Sequence, residues 1–278
     1  MGNIFWLASY PKSGNTWMRA FIANLIAGGT QALGFDDWNR YATDDALPER
    51  YERLAGAAVG TLDIERICAL RAGVQAQISA QVRGTVFVKT HSLAGSYAGH
   101  PLQHWAVCAG GCYVVRNPLD VAVSFAAHFG LSLDESIERL ADPRVATATD
   151  RLFVGQILGS WSQHVAGWAA LESRNVLVVR YEDMCEKPLK AFGRVARTLG
   201  LDGDRGRVQR AIDFSAFGQM QRMEREHGFR EAVAANRPFF RAGRMHQWRE
   251  RLSRAQVARV VADHHETMRR FKYLPAGF

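Results

Sequence analysis

The chain has 278 residues, of which 47% are apolar and 22% charged, with a formal net charge of +8. These values are those of a soluble globular protein large enough for one α/β domain with a substantial core, and no stretch approaches the ~20 apolar residues of a membrane span. Residues 1–8 lack the basic start and longer apolar core of a signal peptide, so a cytoplasmic location is expected. The four cysteines, Cys68, Cys108, Cys112 and Cys185, are too scattered for a disulfide framework. No second Cys/His pair with zinc-finger spacing accompanies Cys108 and Cys112, so no metal is expected there. The positive charge favours anionic partners, but it does not choose among nucleic acids, membranes and small phosphorylated ligands.

Residues 4–8 form an apolar run that reads as a short buried strand, and residues 18–26 continue at helical spacing. Between them lies SYPKSGNTW, residues 9–17, in which Pro11 and Gly14 punctuate a loop and Ser13, Asn15 and Thr16 offer side chains to cap the helix. A helix start presents unpaired amides and the positive end of its dipole, and Lys12 adds a full charge, so this strand, loop and helix read as a P-loop-like phosphate cradle. The pattern is not a regular Walker A loop, because Lys12 precedes Gly14.

Residues 28–60 mix Gly, Asp, Arg and Trp without a period and read as a loop-rich insert, whereas 61–83 are helical in spacing. A second strand, TVFVKT at 85–90, runs into His91. Lys89 and His91 are two apart and face the same side of an extended chain, and histidine is the commonest general base near neutral pH. A third apolar run, 112–115, ends in Arg116, Asn117 and Pro118, where a helix is expected through about residue 129 carrying Ser124. Arg116 therefore stands at the carboxyl end of a strand, where open parallel sheets place their ligands and a guanidinium can fork onto phosphate. Residues 152–174 read as an amphipathic helix with Trp161 and Trp168 on its core face, and 176–181 as a further strand. Strands alternating with helices imply a mainly parallel sheet covered on both faces. Residues 237–254 hold Arg237, Arg241, Arg244, Arg249, Arg251 and Arg254 among aromatics, a pattern that suits phosphates or stacked bases and equally a solvated basic face. Residues 254–271 form a closing amphipathic helix.

Taken together, these pieces resemble the cytosolic-type sulfotransferase family, which uses 3′-phosphoadenosine 5′-phosphosulfate (PAPS) and releases adenosine 3′,5′-bisphosphate (PAP). SYPKSGNTW is similar to the family's 5′-phosphosulfate loop, VVRNPLDVAVSF at 114–125 to its 3′-phosphate motif, and GSWSQHVAGW followed by VLVVRYEDM to its central helix and next strand. The resemblance implies that Lys12 and the amides of Ser13, Gly14, Asn15 and Thr16 hold the phosphosulfate and that Trp17 packs on adenine. It implies that Arg116 and Ser124 bind the 3′-phosphate, and that Tyr181, Ser215 and Phe217 reach the adenine. Lys89 and His91 fall on the catalytic lysine and base. FFRAGRMHQW resembles the C-terminal loop that folds over the cofactor, with Arg241 and Gly243 matching its phosphate contacts. Ala242 departs from the usual lysine there, and His246 and Gln247 replace a Gly-Asp pair. The family's short dimerisation motif is absent near the C-terminus, which leaves the oligomeric state open.

The implied chemistry is in-line attack of an acceptor hydroxyl on sulfur, with His91 taking the proton and Lys12 and Lys89 neutralising charge, and with no metal. The implied acceptor is a hydroxylated small molecule, for which residues 28–83 and 129–151 of a single 1–278 domain are expected to form the cover. A P-loop nucleotide kinase is the rival enzyme and lacks a regular Walker A loop here; an RNA-binding protein using the arginine-rich segment is the rival of another class.

Overall fold

The structure, a computed structural model, describes residues 2–232 and 238–278. Arg237, the first arginine of the basic segment, lies outside the described residues. Among the described residues seven strands occur in chain order: β1 (Ile4–Ser9), β2 (Ala42–Asp44), β3 (Val86–Thr90), β4 (Ser96–Tyr97), β5 (His100–Pro101), β6 (Cys108–Val115) and β7 (Val176–Arg180). Five of them build one sheet in the order β2-β3-β1-β6-β7, and β4 and β5 form a small antiparallel ladder. β1 and β3 pair in parallel, with Leu7 opposite Lys89 and Ala8 opposite Thr90. The fold is the mainly parallel sheet flanked by helices that the alternation of elements implied. All six residues of β1 are buried, as a continuous apolar run in a sheet covered on both faces requires.

Residue contacts gather the chain into two compact units. The first comprises residues 1–10, 43–113 and 139–178. Its long helix, Ile64–Ala80, starts at Asp63, whose carboxylate accepts from the Arg66 amide at 2.7 Å. A buried polar knot ties the segment after β2 to this helix: the Arg71 guanidinium donates to Asp45 at 3.1 Å and to the Gly155 carbonyl at 2.6 Å, and Gln75 donates to Asp45 at 3.2 Å. Two expectations fail here. The stretch read as a loop-rich insert supplies β2 to the central sheet and a helix, Pro48–Ala55, that opens on proline and closes on Gly56 at φ 65°. The helix read over 152–174 is confined to Trp161–Ala169, because Gly159 turns left-handed at φ 63° and Ser160 and Gln163 then close a capping box. Upstream, the backbone is extended instead, with the Thr147 amide donating to the Gln156 carbonyl at 2.9 Å. Trp161 and Trp168 are fully buried, as their spacing implied.

The second unit comprises residues 11–42, 114–138 and 179–278. Helix Asn15–Ala27 packs Phe21 on Phe192 with ring centroids 4.4 Å apart, and its last carbonyls, Leu25 and Ile26, accept from Arg207 at 2.6 and 2.8 Å. Helix Pro118–Phe129 begins as its sequence implied, with the Asn117 side chain accepting from the Leu119 amide at 3.0 Å and proline at the first position. β7 stops at Arg180, one residue short of expectation, because Tyr181 opens a short helix, Tyr181–Glu186. The closing helix, Arg254–Arg270, carries a Ser253–Gln256 capping box.

Candidate functional site

The glycine-punctuated loop lies in the second unit and is conformationally special. Lys12 has φ 66° and Gly14 has φ 109°, both in the left-handed half of the map, where a side chain is costly. Gly14 is required twice over, since a Cβ there would also fall 2.8 Å from the Tyr181 ring. The N-cap is not Ser13, Asn15 or Thr16 but Gly14, which has no side chain to close the helix start. The reason is register, since Asn15 and Thr16 already lie within the helix and Ser13 lies before the cap. A helix start of this kind presents backbone amides and the positive end of its dipole, the features that suit an anion.

Arg116 closes one side of this loop. Its guanidinium donates to the Lys12 carbonyl at 3.0 Å and the Arg244 carbonyl at 3.2 Å, and it stacks 4.2 Å from the centroid of Tyr181. Its Nε is buried without a hydrogen-bond partner among the described residues, as is the Ser13 hydroxyl. Tyr181 meets Trp17 edge-on at 5.9 Å, Trp17 meets Phe192 at 5.3 Å, and burial raises the Tyr181 phenol well above its ordinary pKa. Ser124 is half-buried on helix Pro118–Phe129. Ser215 is buried and donates back to the Ile212 carbonyl at 3.1 Å.

The C-terminal segment is anchored by Asp120, whose carboxylate accepts from the His246 amide at 2.7 Å and the Trp248 amide at 3.1 Å. His246 adopts φ 62°, a conformation natural to the glycine it replaces. Gln247 receives Arg241 at 2.8 Å and donates to the Arg244 carbonyl at 2.9 Å, so the departures at 246 and 247 are accommodated within the loop. Gly243 has φ 57° and lies directly against the Phe217 ring, where no Cβ fits. Burial, and then the nearby Arg251, Arg116 and Arg244, push the Arg241 pKa down. Arg244 is already paired with Glu250 at 2.7 Å, and the remaining guanidiniums leave this segment electropositive, which favours an anion.

The Lys12 ammonium lies 3.3 Å from His128 Nδ1 and 3.8 Å from the centroid of Phe239. Neither residue stood out in the sequence as a site residue. His128 follows Ser124 by four residues on one helix, hence on one face, and that spacing was the available signal.

His91 and Lys89 belong to the first unit. The His91 backbone amide donates to Gln156 Oε1 at 2.8 Å, and its ring Nδ1 lies 2.8 Å from the Ser9 carbonyl. A carbonyl only accepts, so Nδ1 carries the proton of the neutral ring and Nε2 is the acceptor nitrogen. Lys89 is buried and paired with Asp44 at 3.0 Å, over the Phe153 ring at 4.5 Å. Asp44 reaches Lys89 through β2, the strand that local sequence did not reveal.

The cradle fits a bisphosphorylated adenosine. It offers a helix start with glycine at its N-cap, arginines near one another, the aromatic rings of Trp17 and Tyr181, and two buried polar atoms, Ser13 Oγ and Arg116 Nε, without partners among the described residues. Among the described residues no group of three or more His, Cys, Asp or Glu is placed to hold a metal ion, and no helix is long and apolar enough to cross a membrane.

The Sulfotransferase domain family model matches residues 3–272. Over 275 residues the chain is 25% identical to cytosolic sulfotransferase 16 of Arabidopsis thaliana, covering 92% of this chain and 73% of that one. It is 24% identical to sulfotransferase 1A1 of Rattus norvegicus over 275 residues, covering 94% and 83%. Among solved structures, mouse sulfotransferase SULT7A1 complexed with PAP superposes with a TM-score of 0.63 at 20% identity, covering 96% of this chain and 84% of that one. Retinol dehydratase in complex with androsterone and the inactive cofactor PAP gives a TM-score of 0.64 at 20% identity, covering 95% and 80%.

Proposed function

The chain belongs to the sulfotransferase family and is a PAPS-dependent enzyme, and from that premise we propose that His91 is its general base and that its acceptor is a hydroxyl group on a small molecule. The observation that carries the reading is the hydrogen bond from His91 Nδ1 to the Ser9 carbonyl. That bond fixes the tautomer in which Nε2 presents a lone pair, the state a base needs before reaction.

PAPS supplies the sulfuryl group when bound and leaves as PAP. The chain's own residues divide the remaining work. His91 Nε2 holds, then takes, the proton of the acceptor hydroxyl. In the roles that the family resemblance implies, Lys12, the first-turn amides of helix Asn15–Ala27 and the Asp44-held Lys89 would each serve as a positive group for the negative charge that collects during transfer. Arg116, Arg241, Ser124 and the backbone at Gly243 would hold the 3′-phosphate, while Trp17, Tyr181, Ser215 and Phe217 would enclose the adenine. Androsterone, bound by one structural neighbour, and retinol, bound in another structure of retinol dehydratase, are both apolar molecules with a hydroxyl. Their chemistry supports a small hydroxylated acceptor here, and the names of the plant relatives support a cytoplasmic location.

The test is transfer from sulfur-35-labelled PAPS to a panel of phenols, sterols, primary alcohols and sugars. Labelled product from a hydroxylated acceptor is expected. Transfer only to amines, or only to a macromolecule, would overturn the acceptor class.

A further inference from the structure

His164 is a titratable side chain sealed inside the first unit, and none of the roles above uses it. It comes from the GSWSQHVAGW stretch, on the inward face of helix Trp161–Ala169, and it is completely buried. Burial holds the imidazole neutral by pushing its pKa down to about 3. A neutral imidazole has one donor and one acceptor nitrogen, and both are committed. Nε2 lies 2.9 Å from the His91 carbonyl, which can only accept, so Nε2 carries the proton. Nδ1 lies 2.9 Å from the Tyr113 hydroxyl, which therefore donates to it. The Tyr10 ring packs edge-on at 5.3 Å.

This bond is one of several on the same short stretch of backbone. Trp168, one turn further along the helix, donates its indole N–H to the Ser92 carbonyl at 3.0 Å. Gln156 accepts the His91 amide at 2.8 Å, and the Ile157 carbonyl accepts the Leu93 amide at 2.8 Å. Leucine at 164 and phenylalanine at 113 would fill similar space with no polar atom to satisfy, and buried polar groups are costly unless paired. The pairing made here is with the backbone of the proposed base.

We propose that His164 is a positioning residue: together with Trp168 and Gln156 it clamps the 91–92 backbone, so that the His91 ring keeps its bond to Ser9 and aims Nε2 in one direction. The inference rests on His91 being the base. Its physical consequence is that freeing the His91 carbonyl lets the peptide rotate and displaces a ring whose reach must be held to a fraction of an ångström.

The experiment is a cycle on the full-length enzyme: His164→Leu and His164→Gln, each in the wild-type and the His91→Ala backgrounds. It reads kcat, KM for PAPS, PAP affinity by calorimetry and the imidazole nitrogen-15 shifts of His91. Expected for His164→Leu is a kcat fall of ~10–100-fold with PAP affinity held within about twofold. His164→Gln, whose amide N–H can still donate to the carbonyl, should recover most of the loss. In the His91→Ala background, His164→Leu should cost nothing further, and His91 should show a single tautomer in the wild type and a mixture in His164→Leu. An unchanged kcat, or the same loss in both backgrounds, would overturn the clamp. Should His164→Leu fail to fold because the Tyr113 hydroxyl is stranded, His164→Leu with Tyr113→Phe removes both partners and runs the same cycle. A His91→Ala enzyme working at the wild-type rate would overturn the base itself, separately from the clamp.

Discussion

The end of β3 and the loop after β1 are both candidates for chemistry, and they are made ready in opposite ways. At His91 the backbone N–H is bonded to Gln156, the carbonyl to His164 and the ring to Ser9. Around Lys12 the helix start has no side-chain cap, the Ser13 hydroxyl and Arg116 Nε are buried without partners among the described residues, and cations are gathered. A base needs one orientation, which satisfied hydrogen bonds provide. An anion site needs donors with capacity to spare; here Lys12 and Gly14 stand at positive φ beside the two buried atoms without partners among the described residues.

Removing the functional groups themselves tests that contrast most strongly. His91→Ala is expected to lower turnover at least ~100-fold while PAP still binds, whereas Lys12→Ala should lower turnover by a similar factor and weaken PAP as well. A His91→Ala enzyme that lost PAP affinity would show that the two regions are not separable in this way. Next comes Arg116→Ala. PAP at a hundredfold excess over its Kd should stabilise the wild type by about 2.7 kcal/mol in a thermal melt, and most of that gain should vanish in the variant. Stabilisation by ATP with magnesium but not by PAP would count against a 3′-phosphate site.

Gly14→Ala probes the backbone of the cradle. Its strained φ and the approach of Tyr181 predict a loss of ~1–3 kcal/mol in stability and weaker PAP binding, with His91's nitrogen-15 shifts unmoved. Both effects are read from melts, calorimetry and the same spectra.

Titration sharpens the comparison next. Burial pushes His164 down to about 3 and His264 down to about 4, from the ordinary 6.5. Near pH 5 the unfolded chain therefore holds a proton on each histidine that the folded chain lacks, which removes stability as pH falls. Asp45 acts in reverse: burial raises it to about 6, so the folded form holds a proton that the unfolded form has released. Glu182, also raised by burial, opposes the histidines as Asp45 does, while each neutral histidine by itself contributes a loss of about 1.4 kcal/mol per pH unit on acidification through that range. His164→Gln should lower the measured slope by the same amount, and an unaltered slope would mean that His164 is not held neutral. The smallest effect expected is from His246→Gly, which relieves a left-handed histidine and should change stability by at most ~1 kcal/mol.

Local sequence was informative wherever neighbouring residues decide the geometry. The apolar run before Ser9, the Asn117-Pro118 helix start and the strand-end placement of Arg116 all appear as read, because caps, proline and periodicity act within a few residues. The same logic misassigned the helix cap at Ser13, Asn15 and Thr16 and extended the Trp161 helix upstream. In both places a glycine at positive φ, Gly14 or Gly159, moved the boundary.

By itself, the sequence determined the strand, glycine loop and helix around Lys12, the strand that carries Lys89 and runs into His91, and the order of motifs that marks the family. Only the tertiary structure decided that Asp44 would meet Lys89, that Asp120 would anchor residues 246–248, and that His164 would hold the His91 carbonyl. Those pairings join residues 45, 126 to 128 and 73 positions apart. No local preference carries information over such separations; they follow from which strands lie side by side and which buried polar groups must find partners once water is gone.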